Sequence, residues 1–201
     1  MNLKSEIGNL ESGIKKGMNM ERPGRRNESI GVVLLDCQTI RNRISELGSQ
    51  IARDYQGKIP HLIAVLKGAS IFHADLVRAM ELPLSFDFIA VSSYGALGTS
   101  SGEVRILKDL EDSLEGKDVL LVEDIVDTGL TLHALVQNLK ARSPQSLKIV
   151  ALLNKPAGRK IDVPVAYIGF EIPDTFVVGY GLDYDQRYRN LPDIHILHIG
   201  G

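Results

Sequence analysis

Residues 118–154 read DVLLVEDIVDTGLTLHALVQNLKARSPQSLKIVALLN, two apolar runs of strand length joined by a stretch with helical periodicity. Leu132, Leu135, Val136 and Leu139 recur at the spacing of one helix face. DVLLV and LKIVALLN are apolar without alternation, as strands covered on both faces are. Strands joined through a helix run parallel, since a two-residue hairpin cannot link parallel neighbours. A parallel sheet needs helices on both faces, so the chain is constrained to an α/β fold with a central, mainly parallel sheet.

The preceding residues repeat the pattern. HLIAVLK at 61–67 ends in Lys67-Gly68, and SIFHADLVRAM then predicts a helix with Phe72, Leu76, Ala79 and Met80 inward. An earlier helix places Ile40, Ile44, Leu47 and Ile51 on one face, with Asp36 or Thr39 as its cap. LSFDFIAVSSY at 84–94 is strand-like, VRIL at 104–107 can pair with it, and ALGTSSGE between them has the composition of a mobile loop.

Composition narrows the function. The 201 residues, 44% of them hydrophobic, suit a single domain with a sizeable core. With 23 Lys+Arg against 25 Asp+Glu, the formal charge of -2 recommends neither a nucleic acid nor an anionic membrane as partner. Cys37 is the only cysteine, which excludes an intrachain disulfide and a Cys-rich zinc site and points to a cytoplasmic location. No segment has the apolar core of a signal peptide or the length of a membrane span. Residues 1–29 mix both charges with Gly, Asn and Ser and predict a flexible N-terminal extension before a domain at 30–201. The five histidines form no metal-ligand spacing; His73 and His133 fall inside predicted helices and are read as structural or surface groups.

The chemistry concentrates in VLLVEDIVDTGLTL, residues 119–132. Val119–Val122 predict a strand buried on both faces, and the acids follow at its carboxyl end, where open parallel sheets bind ligands. Asp127-Thr128-Gly129-Leu130-Thr131 then turns into the next helix. Helix N-termini offer unpaired N–H groups and a positive dipole end, Gly129 lets the backbone approach a ligand, and Thr128 and Thr131 add hydroxyl donors. The turn suits a phosphate. Glu123 and Asp124, a short turn upstream, supply acceptors for a sugar diol, directly or through a hydrated divalent cation. A structural alternative is that the acids only cap the helix.

These residues resemble the phosphoribosyl pyrophosphate signature of type I phosphoribosyltransferases, in the form shared by the 6-oxopurine (hypoxanthine and hypoxanthine-guanine) enzymes. Three more segments match in family order: VLKGA at 65–69 the pyrophosphate loop, SSYG at 92–95 the flexible catalytic loop, and GFEIPDTFVVGYGLDYDQRYRNLP at 169–192 the purine-binding segment. The resemblance implies the type I fold, with a small hood built from the N-terminal region and the segment at about 156–201. It also implies purine salvage: transfer of 5-phosphoribosyl from phosphoribosyl pyrophosphate to hypoxanthine, and to guanine, giving IMP or GMP and pyrophosphate, with Mg2+, in a homodimer or homotetramer.

Roles carry over position by position. The resemblance implies that Glu123 and Asp124 hold the ribose hydroxyls or their metal shell, that Thr128, Gly129, Leu130 and Thr131 hold the 5-phosphate, and that Asp127 acts as general base beside the purine. Leu66, Lys67 and Gly68 face the pyrophosphate with Arg189, and Asp183 ligates its Mg2+. Ala69 stands where some members have a second glycine. Phe176 stacks on the base, Val177 reads its edge, and Lys155 donates to O6, which favours 6-oxopurines over adenine. Ser93 and Tyr94 begin a lid that excludes water. Two rivals stand beside this reading. A nucleic-acid-binding regulator on the same fold, sensing phosphoribosyl pyrophosphate, should carry a basic stripe, which the net charge does not suggest. An aspartic protease pairs two Asp-Thr-Gly loops, and here a single one opens a helix.

Overall fold

The computed structural model describes residues 28–93 and 104–200. The expectations for residues 1–27, and for Tyr94 with the loop to 103, lie outside the described residues. The compact unit considered below is Ser29–His198.

In order, the elements are β1 (Glu28–Leu35), α1 (Cys37–Asp54), β2 (His61–Leu66), α2 (Ser70–Ala79), β3 (Ser85–Ser93), β4 (Val104–Lys108), β5 (Asp118–Val126), α3 (Leu130–Lys140), β6 (Ser146–Asn154), β7 (Tyr167–Glu171), β8 (Val177–Val178) and β9 (Ile194–Ile199). A six-stranded sheet has the order β4-β3-β2-β5-β6-β7. All its pairings are parallel except that of β3 with β4. This is the α/β architecture predicted. A second, three-stranded sheet has the order β1-β9-β8. Glu28 and Ser29 belong to β1, so regular structure starts before Ile30.

Two-sided burial explains why the central strands read as unbroken apolar runs. Leu62, Ala64, Leu120 and Val122 pack in one core with Ile40, Leu47, Ile51, Phe72 and Leu76 of α1 and α2. Their neighbours Ile63, Val65, Val119 and Leu121 pack in another with Leu132, Leu135, Val136 and Leu139 of α3. Successive side chains thus enter opposite layers, and both layers are dry.

Of the two candidate caps for α1, Asp36 is the one used. Its Oδ1 accepts from the N–H of Gln38 and of Thr39, both at 2.9 Å, while the Thr39 hydroxyl donates to Oδ2 at 2.8 Å. Asp193 accepts from the Cys37 N–H at 2.7 Å. Three unpaired donors of the first turn are thereby satisfied, and a cap of this kind contributes about 1 kcal/mol. At the β3–β4 end, buried Asp87 accepts from the N–H of Phe88 and of Glu111, each at 2.6 Å, and from Lys108 Nζ at 3.3 Å.

His73 is 2% exposed, lies edge-on to Phe86 and Phe88, and has no partner for Nε2. It is a core residue. Burial pushes its imidazole down to about 4 from an ordinary value of 6.5. A depressed folded-state value means that the neutral ring stabilises the fold above pH 6.5, and that this stability is lost as the pH falls toward 4. We predict that His73→Phe, which keeps a ring but cannot take up a proton, gains on the parent by up to about 3 kcal/mol between pH 6.5 and 4 in urea unfolding. Parallel pH profiles for the two proteins would contradict this.

Candidate active site

Four parallel strands end side by side and deliver the groups singled out above. β2 ends at Leu66, β3 at Ser93, β5 at Val126 and β6 at Asn154, with Leu66 in register with Ala90 and Val126 with Asn154. The carboxyl edge of an open parallel sheet is where ligands bind.

The ladder of β5 does not stop at Val122, as the apolar run suggested. It continues through both acids, Glu123 pairing with Ala151 and Ile125 with Leu153. Glu123 is therefore buried in the sheet rather than set on a turn. Its carboxyl is pushed well above the ordinary range by burial and then by the charge of Asp124. Half-buried Asp124 rises to about 6, chiefly through burial; the N–H of Ile125 and the charge of Arg189 oppose the rise, and Asp183 adds to it. Two adjacent acids short of positive charge favour a ligand that brings hydroxyl donors or a cation. Oxygen donors from Glu123, Asp124 and Asp183 suit a hard divalent ion. No three metal-binding side chains form a cage among the described residues.

The capping explanation of the acids fails. Helix α3 starts after Gly129, has no acidic residue in its first turn, and receives no side-chain hydrogen bond at its cap. Gly129 has φ +81°, and a Cβ there would overlap the Ile161 carbonyl oxygen. The 159–161 segment wraps the turn from outside: the N–H groups of Lys160 and Ile161 donate to Thr128 O at 2.9 and 3.1 Å. Arg159 adds Nη2 bonds to Val126 O, at 3.3 Å, and to Asn154 Oδ1. Thr128 Oγ1 sits 3.5 Å from the Leu130 nitrogen, and Thr131 lies in the first turn of α3.

Asp127 is exposed on this turn, with Lys155 Nζ 3.6 Å from its Oδ2. Lys155 follows β6, is 6% exposed, and also faces Asp174 Oδ1 at 4.0 Å. The Lys155 ammonium thus lies between two carboxylates, whose charges offset the cost of burying its own. Phe176 is 42% exposed and meets Tyr184 edge-on at 5.5 Å. Buried Val177 pairs with Ile196 in the small sheet.

On the far side of the strand ends, the Leu66–Lys67 peptide is cis. Lys67 O accepts from the Ser70 hydroxyl at 2.7 Å, and Lys67 Nζ donates to Gln186 Oε1 at 3.3 Å. Gly68 lies against Asp124, so close that a Cβ would overlap Oδ2. Ala69 is buried in an ordinary helical conformation and needs no glycine. Arg189 and Asp183, which the resemblance assigns to the pyrophosphate and its Mg2+, form an ion pair at 2.7 Å. The backbone of Ser93 ends β3 opposite Val104. Asp174, Arg159 and Tyr184 escaped the sequence reading. Asp174 stands two residues before Phe176 inside a quoted segment, and Arg159 and Tyr184 carry no spacing signal.

Comparison with known proteins agrees with this arrangement. A family model described as a phosphoribosyl transferase domain matches residues 34–185. The hypoxanthine-guanine phosphoribosyltransferase of Bacillus subtilis is 52% identical over 165 residues, which cover 82% of this chain and 92% of that relative. The enzyme of that name from Mycobacterium tuberculosis is 52% identical over 185 residues, 87% of this chain and 92% of the relative. A crystal structure of hypoxanthine phosphoribosyltransferase from Staphylococcus aureus superposes with a TM-score of 0.82 at 49% identity, covering 84% of this chain and 92% of that one. The chain belongs to the phosphoribosyltransferase family, in its hypoxanthine-guanine branch.

Two glycines test the geometry in opposite ways. At Gly129 a new Cβ meets backbone, so Gly129→Ala should lose about 2 kcal/mol or more of unfolding stability. At Gly68 the obstacle is the end of a carboxylate side chain, so Gly68→Ala should keep its stability yet bind phosphoribosyl pyrophosphate at least about tenfold more weakly by calorimetry. Unchanged stability in the first variant, or unchanged affinity in the second, would contradict the packing described.

Proposed function

We propose that the chain transfers the 5-phosphoribosyl group from phosphoribosyl pyrophosphate to hypoxanthine and guanine, giving IMP or GMP and pyrophosphate in purine salvage. The observation that carries the reading is the buried Lys155 ammonium 3.6 Å from Asp127, on the turn between β5 and α3. It sets a donor for a purine O6 beside a carboxylate that can take a proton, next to a helix N-terminus suited to phosphate.

In the reaction the bond from sugar C1 to the pyrophosphate oxygen breaks, a bond from C1 to a purine nitrogen forms, and the nitrogen's proton passes to Asp127. The transition state has oxocarbenium character, so the leaving group must be stabilised while water is kept away. The 5-phosphate sits on the N–H groups and hydroxyls of Thr128–Thr131, and the ribose hydroxyls donate to Glu123 and Asp124. The Lys67–Gly68 backbone and Arg189 take the pyrophosphate oxygens. Phe176 stacks on the base while the backbone of Val177 meets its edge. Lys155 donates to O6 and offers the 6-amino group of adenine no acceptor. Glu123, Asp124 and Asp183 are the side chains that would hold a Mg2+ ion or its water shell, and such an ion would offset the charge of the departing pyrophosphate. The reading extends to a cytoplasmic homodimer or homotetramer, for which the exposed side chains of Val32, Phe86 and Leu107 offer apolar surface.

The regulator alternative has little to support it. The formal charge is -2, the Lys155–Asp127 pair suits a base pocket, and curated relatives sharing half their residues are named as transferases.

Pyrophosphate release by the purified protein with phosphoribosyl pyrophosphate and Mg2+ tests the proposal. Hypoxanthine and guanine should support release and adenine should not. Asp127→Asn should lower kcat by about 100 to 10,000 fold, the usual weight of a general base. Donor binding without release for any base would refute the transferase reading.

A further inference from the structure

We propose that Tyr180 is a positioning residue for the pyrophosphate half of the site, and that it acts through a hydrogen bond to Asp75. The inference rests on the transferase reading but concerns two residues that have no part in it.

None of the substrate contacts proposed above involves Tyr180. Its hydroxyl donates to Asp75 Oδ2 at 2.5 Å, and its side chain is 7% exposed. Asp75 sits on α2, the helix that follows directly on the Lys67–Ala69 loop. Burial, then the bond to Asp75 and its charge, push the phenol above its ordinary range, so the hydroxyl remains a donor at neutral pH.

The backbone at Tyr180 needs to be held. Its φ is +50°, a left-handed conformation that a residue with a Cβ adopts unwillingly. Ring burial and the hydroxyl bond are what offset that preference, together with the N–H bond to Leu191 O at 2.8 Å. Gly181 follows with φ +99° and lies so tightly on the pyrophosphate loop that a Cβ would overlap the Gly68 carbonyl oxygen. Gly181 O accepts from Arg189 Nη1 at 2.7 Å, and Gly181 N donates to Arg189 O at 3.0 Å. Arg189 pairs with Asp183, and Asp183 Oδ2 accepts from the Gln186 N–H at 2.8 Å. Gln186 Oε1 in turn receives Lys67 Nζ. The contacts close a ring from α2 through Tyr180, Gly181, Arg189 and Gln186 back to the loop before α2. Freeing the Tyr180 hydroxyl loosens a hydrogen bond by which a buried side chain fixes this segment to α2. The groups this ring holds, Lys67, Gly181 and Arg189, lie on the side assigned to the leaving group.

The test is Tyr180→Phe, with Asp75→Leu and Asp75→Asn beside it. We expect KM for phosphoribosyl pyrophosphate, and the calorimetric Kd for pyrophosphate with Mg2+, to rise about tenfold in Tyr180→Phe, as for loss of a hydrogen bond to a charged group. KM for hypoxanthine and kcat at saturating donor should hold. Asp75→Leu should reproduce the effect from the helix side even if the Phe variant folds poorly, and Asp75→Asn, which keeps an acceptor, should restore most of the affinity. Equal rises in both KM values, no rise in either, or an Asn variant as damaged as the Leu variant would overturn the proposal. A parent protein that transfers nothing, yet loses pyrophosphate affinity on Tyr180→Phe, would sink the transferase reading and leave this one standing.

Discussion

The pairing of β5 with β2 on one side and β6 on the other sets the level at which every chemically useful side chain emerges. A strand buried on both faces has no freedom to slip, because a one-residue shift would exchange the contents of two dry layers. The register that locks Leu121 and Val122 into those layers therefore also determines where Glu123, Asp124 and Asp127 stand, and where Lys155 arrives one strand away. Parallel order then brings the Lys67 loop and the end of β3 to the same edge.

Carrying the ladder through two acids has an electrostatic consequence. Glu123 and Asp124 are held where water is scarce, and burial raises both carboxyls. Elsewhere around the site, charge is matched: Lys155 with Asp127 and Asp174, Arg189 with Asp183. On the proposed function, the unmatched acids are where a donor-bearing, cation-associated sugar phosphate would sit. The turn that follows is kept open by a glycine whose neighbours leave no room for a side chain.

Much of this was legible in the residues. The β5–α3–β6 unit shows through because two-sided burial and a 3.6-residue period are both written in hydrophobicity. The end of β5 was misjudged for the same reason: the acids interrupt the apolar run, while backbone pairing is indifferent to which side chains it carries. β1 shows no clear run because Val32 and Val33 are exposed, and β8 is two residues long. The Arg189–Asp183 pair arises where Tyr180, Asp185, Gln186 and Tyr188 all take positive φ and fold the segment back on itself. Such conformations at tyrosine and glutamine follow from tertiary packing, and no local preference announces them. Glu123, Asp124, Asp127 and Lys155 are proposed as site residues because motif order singles them out. Asp174 and Arg159 are not singled out, since their roles depend on folding beside Lys155 and the 126–129 turn.

The central claim is that this one edge seats ribose 5-phosphate and purine together. A crystal structure of the protein with IMP tests it most directly. The account predicts the 5-phosphate within hydrogen-bond distance of the N–H groups of Thr128–Thr131, the ribose hydroxyls on Glu123 and Asp124, and O6 of the base on Lys155 Nζ. Finding the phosphate on the Lys67–Arg189 side, with the base away from Lys155, would contradict it.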